Sequence, residues 1–573
     1  MRGGCALTRL RRHLTPALHS RLWTFCAILL IGSSVAGIGK SWTSLSATYD
    51  EADHIAAGME WLDKGTYHYE TEHPPLARAV IALGPYLKGL RSSSLSALTA
   101  EGNAILYSAG NYRSNLASAR SGNLIFLALA CVSIFLWGRR WFGGTTAVWA
   151  VLLFMNLPPV LGHAGLATLD MACAATLILA LYACIRCLED FSYWRLTLFG
   201  AALAFAFLCK LSTIAFLGVC ISFAIACVAL QGRVPLRLTG WRGLPMRILV
   251  LAAVVFLVLW AGYRFRVSEV RLPLEQFFAG IRDVRFHNRT GHPSYLFGEY
   301  RQTGWWYFFP VVIGVKTPIG FLVLAVFGVF AIWRGLKSNP WPRNLTPVFA
   351  AAILLICMAA RINLGVRHIL AIYPFLALLG GYAVSESLLA ARRMSPAVAA
   401  LPIPLAVWTV ADSWMARPDY LAWFNRFAGS HPENILAESD LDWGQDLYRL
   451  SERLQELRAA HVYVKYFGTA PLEKAGLPPF TVFSTDTPGI HGYAAISLRY
   501  LTLEYARDGS FAWLKKIRPQ EIIGKSIYLY NLDLQATPPA DRNSESHPSA
   551  ASNVPVDSGL HELTARKYWY GSF

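Results

Sequence analysis

The chain has 573 residues, 54% hydrophobic and 15% charged, with a formal net charge of +17. Soluble chains usually carry about 25% charged residues, so this composition excludes a disordered protein and disfavours an ordinary soluble enzyme. The basic excess is not a nucleic-acid signature: residues 1–413 hold 36 basic and 17 acidic residues, whereas residues 414–573 hold 16 and 18. It therefore lies wholly in the apolar part, where charge reports membrane topology.

A membrane span needs roughly 20 mostly apolar residues. Eleven stretches read as spans: 22–39, 121–138, 144–161, 168–186, 195–209, 211–230, 247–264, 306–333, 344–361, 369–390 and 397–413. With a cytoplasmic N-terminus, the cytoplasmic segments carry 18 basic residues against two acidic ones, Glu189 and Asp190, as the positive-inside rule requires. The expectation is a polytopic α-helical protein of the plasma (inner) membrane, with residues 1–413 as the membrane module. Eleven spans place the rest of the chain outside.

The first outer segment, 41–118, contains eight acidic and five basic residues. Apolar residues recur at helical spacing over 52–62 and 76–90, which predicts amphipathic helices along the membrane surface. Asp50-Glu51 stands where the chain leaves the first span. A carboxylate held against apolar surface can serve as a general base; the alternative is a solvated pair capping a helix. In Glu72-His73-Pro74-Pro75 the prolines predict an extended entry followed by a helix start. His73 could touch a phosphate and Glu72 could ligate a metal, or both could be ordinary loop residues.

Asp170 opens the fourth span, where an ionisable residue is a functional candidate by default. Lys210 interrupts the apolar run 196–230, and Lys316 lies in Val315-Lys-Thr-Pro within the eighth span. The second outer segment, 265–304, is rich in Arg, His and aromatics. Arg361 and Arg367-His368 bracket a short outer turn. A cation near the hydrocarbon costs about 2.5–3.5 kcal/mol on insertion scales, and snorkelling to the surface is one escape. The few acids nearby leave several cations without a protein partner, which a phosphate ligand would supply. Carboxylates beside such cations suit attack by a deprotonated hydroxyl on a carbon whose leaving group is phosphate.

Residues 414–535 read as an extracytoplasmic α/β domain, with helical periodicity over Gln445–Ala459 and strand-like runs at 461–467, 492–498 and 526–532. Asp440-Leu-Asp-Trp-Gly-Gln-Asp reads as a structural turn or as part of an acceptor site. Residues 536–573 are expected to form a flexible tail. All ten cysteines lie at or before Cys357, so no disulfide framework is expected outside. The lone Cys184/Cys187 pair reads as packing.

Several motifs carry a family resemblance. Tyr49-Asp-Glu-Ala-Asp-His followed by Glu72-His-Pro-Pro-Leu resembles the first outer loop of bacterial phospholipid-carrier-dependent glycosyltransferases. These are relatives of the protein O-mannosyltransferases and the aminoarabinose transferase, within the GT-C superfamily. Trp305-Trp-Tyr-Phe-Phe-Pro with Lys316-Thr-Pro resembles that family's eighth-span region. Arg361-Ile-Asn-Leu-Gly-Val-Arg-His resembles its Arg-His segment, and Tyr420 to Gly444 the outer domain of one branch. The resemblance implies a GT-C-like fold and a polyprenyl-phosphate sugar donor. It implies Asp50 as base, with Glu51 and Asp170 supporting the acceptor side. Lys210, Arg361, Arg367 and His368 fall where donor-phosphate contacts are expected, and Lys316 and His73 join that set. His73 departs from the family, since the aminoarabinose transferase has Lys before Pro-Pro-Leu. No cofactor is certain; a divalent metal could use Glu72 with His287 or His292. The acceptor could be a protein, a glycolipid or a glycan, with membrane lipids as further partners and no nucleic acid. The competing readings are a transporter or flippase of a lipid-linked sugar and an inactive, lipid-binding relative. Ionisable residues gathered near the outer face, with no visible internal repeat, favour the enzyme.

Overall fold

The computed structural model describes residues 16–230, 243–267, 274–390 and 401–535. The tail expected at 536–573 lies outside the described residues.

Helix α1 (Pro16–Ser44) leads to the segment read from the sequence as the first outer one. That segment folds into α2 (Glu51–Met59), α3 (Pro75–Leu87), α4 (Leu98–Tyr107) and α5 (Tyr112–Ser121). Pro74 is extended and Pro75 opens α3, as the fixed proline φ dictates. The helices expected at 52–62 and 76–90 are present, but α2 is not a surface helix. All nine of its residues are buried, because it packs against both α3 and α4.

The membrane module continues through α6 (Asn123–Trp141), α7 (Gly144–Phe154), α8 (Pro158–Ala164), α9 (Asp170–Glu189), α10 (Tyr193–Cys209), α11 (Ser212–Leu230) and α12 (Leu244–Gly262). After helix α13 (Glu275–Thr290) and the hairpin β1 (Ser294–Leu296) and β2 (Glu299–Arg301) come α14 (Phe308–Lys316), α15 (Ile319–Arg334), α16 (Trp341–Ala359), α17 (Tyr373–Ala390) and α18 (Pro402–Met415). Helices thus occupy all eleven stretches read as spans. Among the described residues, however, five helices are long and apolar enough to cross a membrane unaided, and seven spans result if each bent pair is one. α7 and α8 meet at 69°, and α14 and α15 at 116°. Prolines 158, 159 and 318 stand at these breaks, where a missing N–H and a fixed φ interrupt a helix. Lys316 therefore ends a helix rather than lying inside a continuous span. The protein is an integral, multi-pass membrane protein.

Inside the bundle, α17 packs against α7 and α15, α9 against α6, and α11 against α16. Gly328 permits one close approach: a Cβ there would lie 2.1 Å from the Leu379 carbonyl oxygen. In α12 only Leu259 is buried, as expected of a helix facing lipid.

The C-terminal domain holds helix α19 (Leu447–Glu456) and a five-stranded mixed sheet. Its strands are β3 (Val462–Lys465), β4 (Phe480–Val482), β5 (Tyr493–Ser497), β6 (Glu521–Ile523) and β7 (Ile527–Asn531), in the order β4-β3-β5-β7-β6. β3 runs parallel to β4 and β5; β7 is antiparallel to β5 and β6. Side chains alternate across the sheet. Val462, Val464 and Ala495 meet Leu447, Leu450 and Leu454 of α19, while Ala494 and Ile496 pack with Phe483, Phe511 and Leu514. The three runs read as strands are there; edge strands β4 and β6 are too short to show periodicity. Tyr420, Trp423 and Leu436 join the core of the membrane module, and Leu166 packs with Leu421, Trp443 and Phe467. The two parts are thus joined through a buried seam.

Candidate functional site

The seam lies beside a cavity of about 540 Å³. Asp50, His54, Glu72 and His73 reach it from the first outer segment, Asp170 from the start of α9, and Lys210 from the turn between α10 and α11. Arg285, His287 and Arg289 enter from α13, and Arg367 and His368 from the 3₁₀ turn Val366–Ile372. The lining also includes the apolar residues Phe216 of α11 and Ile356, Cys357 and Ala359 of α16.

Two ion pairs join charged residues of the lining. Arg367 Nη1 donates to Asp50 Oδ2 at 2.6 Å, although the partners lie 317 positions apart. Lys210 Nζ donates to Asp170 Oδ1 at 2.6 Å. Asp50 is the N-cap residue of α2, yet its side chain makes no capping bond, so its carboxylate stays directed into the cavity. Burial pushes the Asp50 carboxyl above its ordinary range, and neighbouring Asp170 adds to this; Arg367 opposes the rise without cancelling it.

Glu51 behaves differently. It is fully buried and does not line the cavity. Its oxygens accept from Arg120 at 2.7 and 2.8 Å, the Ala167 amide at 2.7 Å and the Thr48 amide at 2.8 Å. Burial alone would raise its pKa; Arg120 and these donors outweigh that and lower it. Two other residues singled out from the sequence also point elsewhere. Lys316 Nζ donates to the carbonyls of Leu421 and Asp440 at 2.7 and 2.8 Å. Arg361 is exposed and donates from Nη1 to the Arg289 carbonyl at 3.3 Å.

A second network adjoins the cavity through His54 and His73. Arg78, fully buried, donates to His54 Nδ1 at 3.1 Å, to the Tyr67 hydroxyl at 3.0 Å and to Glu70. His73 Nδ1 is 3.2 Å from Glu70. Burial would raise the Glu70 carboxyl, but Arg78 and His73 hold it down at about 2. Ligand atoms of Glu70, Glu72 and His73 lie within 4.8 Å of one another, a donor set of the kind that holds a divalent ion. His287 Nδ1 is 3.8 Å from Glu72, whereas His292 is not among the cavity residues.

Sequence reasoning missed Glu70, Arg78 and Arg120, and the α13 arginines beyond their general richness. Nothing in the sequence separates the buried Arg120 from the basic residues at other span ends. Glu70 stands only two residues before Glu72, so proximity to a flagged motif was the available signal.

Residues 112–263 match the family described as dolichyl-phosphate-mannose-protein mannosyltransferase. No curated protein matches the chain. Among solved structures it is similar to ArnT from Cupriavidus metallidurans bound to undecaprenyl phosphate, at 14% identity, with 88% of this chain and 98% of that chain covered and a TM-score of 0.49. It is also similar to the Archaeoglobus fulgidus oligosaccharyltransferase tethered with an acceptor peptide, at 12% identity, 86% and 72% coverage and a TM-score of 0.45. The complex of that oligosaccharyltransferase with Zn and sulfate gives 13% identity, 81% and 59% coverage and a TM-score of 0.47.

Proposed function

We propose that this protein is a membrane glycosyltransferase that moves a sugar from a polyprenyl-phosphate donor to an acceptor hydroxyl on the outer face of the membrane. The observation that carries the reading is the cavity itself: Asp50 meets Arg367, Asp170 meets Lys210, and the same cavity is lined by apolar side chains of α11 and α16. An anionic headgroup on a long hydrocarbon chain matches a cavity lined by both cations and apolar side chains. The family match over 112–263 supports the same donor class.

At rest the two pairs compensate the buried charges of Asp50, Arg367 and Asp170 and the partly buried charge of Lys210. A donor phosphate competes with Asp50 for Arg367 and with Asp170 for Lys210. Once Arg367 turns to the phosphate, Asp50 accepts the proton of the acceptor hydroxyl, whose oxygen attacks the anomeric carbon. The bond from that carbon to the phosphate oxygen breaks, and the departing polyprenyl phosphate takes the electron pair. Lys210 and Arg367 stabilise its charge, with Arg285, Arg289, His368 and His73 around them. A divalent ion held by Glu70, Glu72 and His73 would add positive charge nearby; the protein steps above do not depend on it. Glu51 and Lys316 act as positioning residues in this scheme, and Arg361 sits at the rim.

The test is transfer by purified protein in detergent, using the donor identified by mass spectrometry of co-purifying lipid. Carrier-linked sugar should be consumed with release of polyprenyl phosphate. A protein that binds the lipid-linked sugar but only moves it across vesicle membranes would overturn the reading in favour of a transporter.

A further inference from the structure

The stretch from Ser439 to Asp446 lies between the two chain segments that deliver the central ion pair. On one side the Ser439 hydroxyl donates to the Leu364 carbonyl, and Asp440 Oδ1 accepts from the Val366 amide at 3.0 Å; Arg367 is the next residue. On the other side the Tyr49 amide donates to the Trp443 carbonyl at 2.9 Å, and the Ser46 amide to the Gln445 carbonyl at 2.9 Å; Asp50 follows directly. Between them the Trp443 ring, 1% exposed, lies 4.4 Å from the Arg367 guanidinium. The stretch is itself tied to the sheet domain. Asp442 Oδ2 accepts from the Arg499 amide at 3.0 Å, Asp446 Oδ2 from the Ser526 hydroxyl at 2.8 Å, and the Gly444 carbonyl from the Tyr466 hydroxyl at 2.6 Å. The approach to the membrane module is close: Gly365 has φ +88°, and a Cβ there would lie 2.5 Å from Asp440 Oδ2.

We propose that residues 439–446 are a positioning clasp through which the C-terminal domain sets the placement of Arg367 against Asp50 and the incoming phosphate. The physical need is plain. The two partners are far apart in sequence, and an arginine side chain loses much rotamer freedom when fixed. A ring beneath the guanidinium and hydrogen bonds to the peptides on either side of Gly365 remove that freedom before the ligand arrives. Trp443 and Asp440 are positioning residues; neither lines the cavity. The consequence for catalysis rests on the function proposed above, but the coupling can be measured without any ligand.

Two double-mutant cycles test it. The first is read in thermal unfolding of the full-length protein, with Asp440→Ala and Asp50→Asn, residues that share no hydrogen bond. The clasp requires less than additive loss, because Asp440→Ala already loosens the Arg367 that pairs with Asp50. The second is read in affinity for undecaprenyl phosphate. Trp443→Leu should weaken binding about tenfold, Trp443→Phe should restore most of it, and Trp443→Leu should weaken an Arg367→Ala protein no further. Strictly additive effects in both cycles overturn the clasp, since generic destabilisation adds. If the wild-type chain fails to bind undecaprenyl phosphate while the unfolding cycle remains non-additive, the clasp stands and the proposed donor class falls.

Discussion

Replacing Asp50 by Asn should move two observables in opposite directions. The variant keeps the shape of the side chain but loses its charge and its ability to take a proton. Arg367 Nη1 donates to Asp50 at 2.6 Å, with both groups nearly inaccessible to solvent. A hydrogen bond to a charged group nets about 1.5–3 kcal/mol. Since about 1.4 kcal/mol is tenfold in an equilibrium constant, freeing Arg367 from this competitor should tighten binding of undecaprenyl phosphate by about 10- to 100-fold. Loss of a general base costs about 10²–10⁴ in rate, so transfer should collapse while carrier binding improves. The assay pairs a titration of purified protein with undecaprenyl phosphate, followed by native mass spectrometry, with turnover of the co-purifying donor. Undiminished turnover would remove Asp50 from the role of base. Weaker carrier binding would show that Arg367 needs Asp50 rather than competing with the phosphate for it.

Arg120→Met should destabilise the protein by about 3–5 kcal/mol, because it leaves the Glu51 carboxylate buried and short of a charged partner; adding Glu51→Gln should recover part of the loss in chemical unfolding, and full retention of stability in the single variant would contradict the pairing. Gly365→Ala should cost at least about 1–2 kcal/mol for a left-handed backbone alone, plus the collision with Asp440, read as a lowered unfolding temperature. Lys210→Met should weaken undecaprenyl phosphate binding and destabilise the protein by leaving Asp170 buried without its cation; unchanged affinity would remove Lys210 from the phosphate site. Burial pushes the Asp53 carboxyl up to about 7 although it accepts a hydrogen bond from Thr99. Between an ordinary carboxyl value near 4 and about 7, the folded protein therefore holds a proton that the unfolded chain has lost, and stability falls as pH rises through that window. Asp53→Asn, which still accepts from Thr99, should flatten the decline in a series of unfolding measurements; an unaltered pH dependence would show that Asp53 titrates normally.

Much of the architecture follows from local chemistry that a sequence displays. Apolar runs separated by arginines predicted the helices of the membrane module, because hydrocarbon tolerates neither free peptide groups nor uncompensated charge. The prolines at 74 and 75 placed the start of α3, and alternation placed β3, β5 and β7. The broken pairs α7–α8 and α14–α15 were less visible, since an apolar run has the same composition whether straight or bent by 69° or 116°.

The residue types of the site were also legible: acids and cations at one end of a bundle are conspicuous because they are costly there. Which acid meets which cation was not. Glu51 and Asp50 are neighbours in sequence, yet one is consumed by Arg120 and backbone amides while the other faces the cavity with Arg367. Lys316 and Lys210 look alike as lone cations in apolar surroundings, but a proline break turns the first toward the carbonyls of Leu421 and Asp440. Composition and spacing are properties of the chain taken a few residues at a time, and they determined the spans, the helix starts and the set of reactive groups. The partner of each buried charge depends on which distant segments the packed bundle and the seam of the C-terminal domain bring within hydrogen-bond reach, and only the tertiary structure decides that.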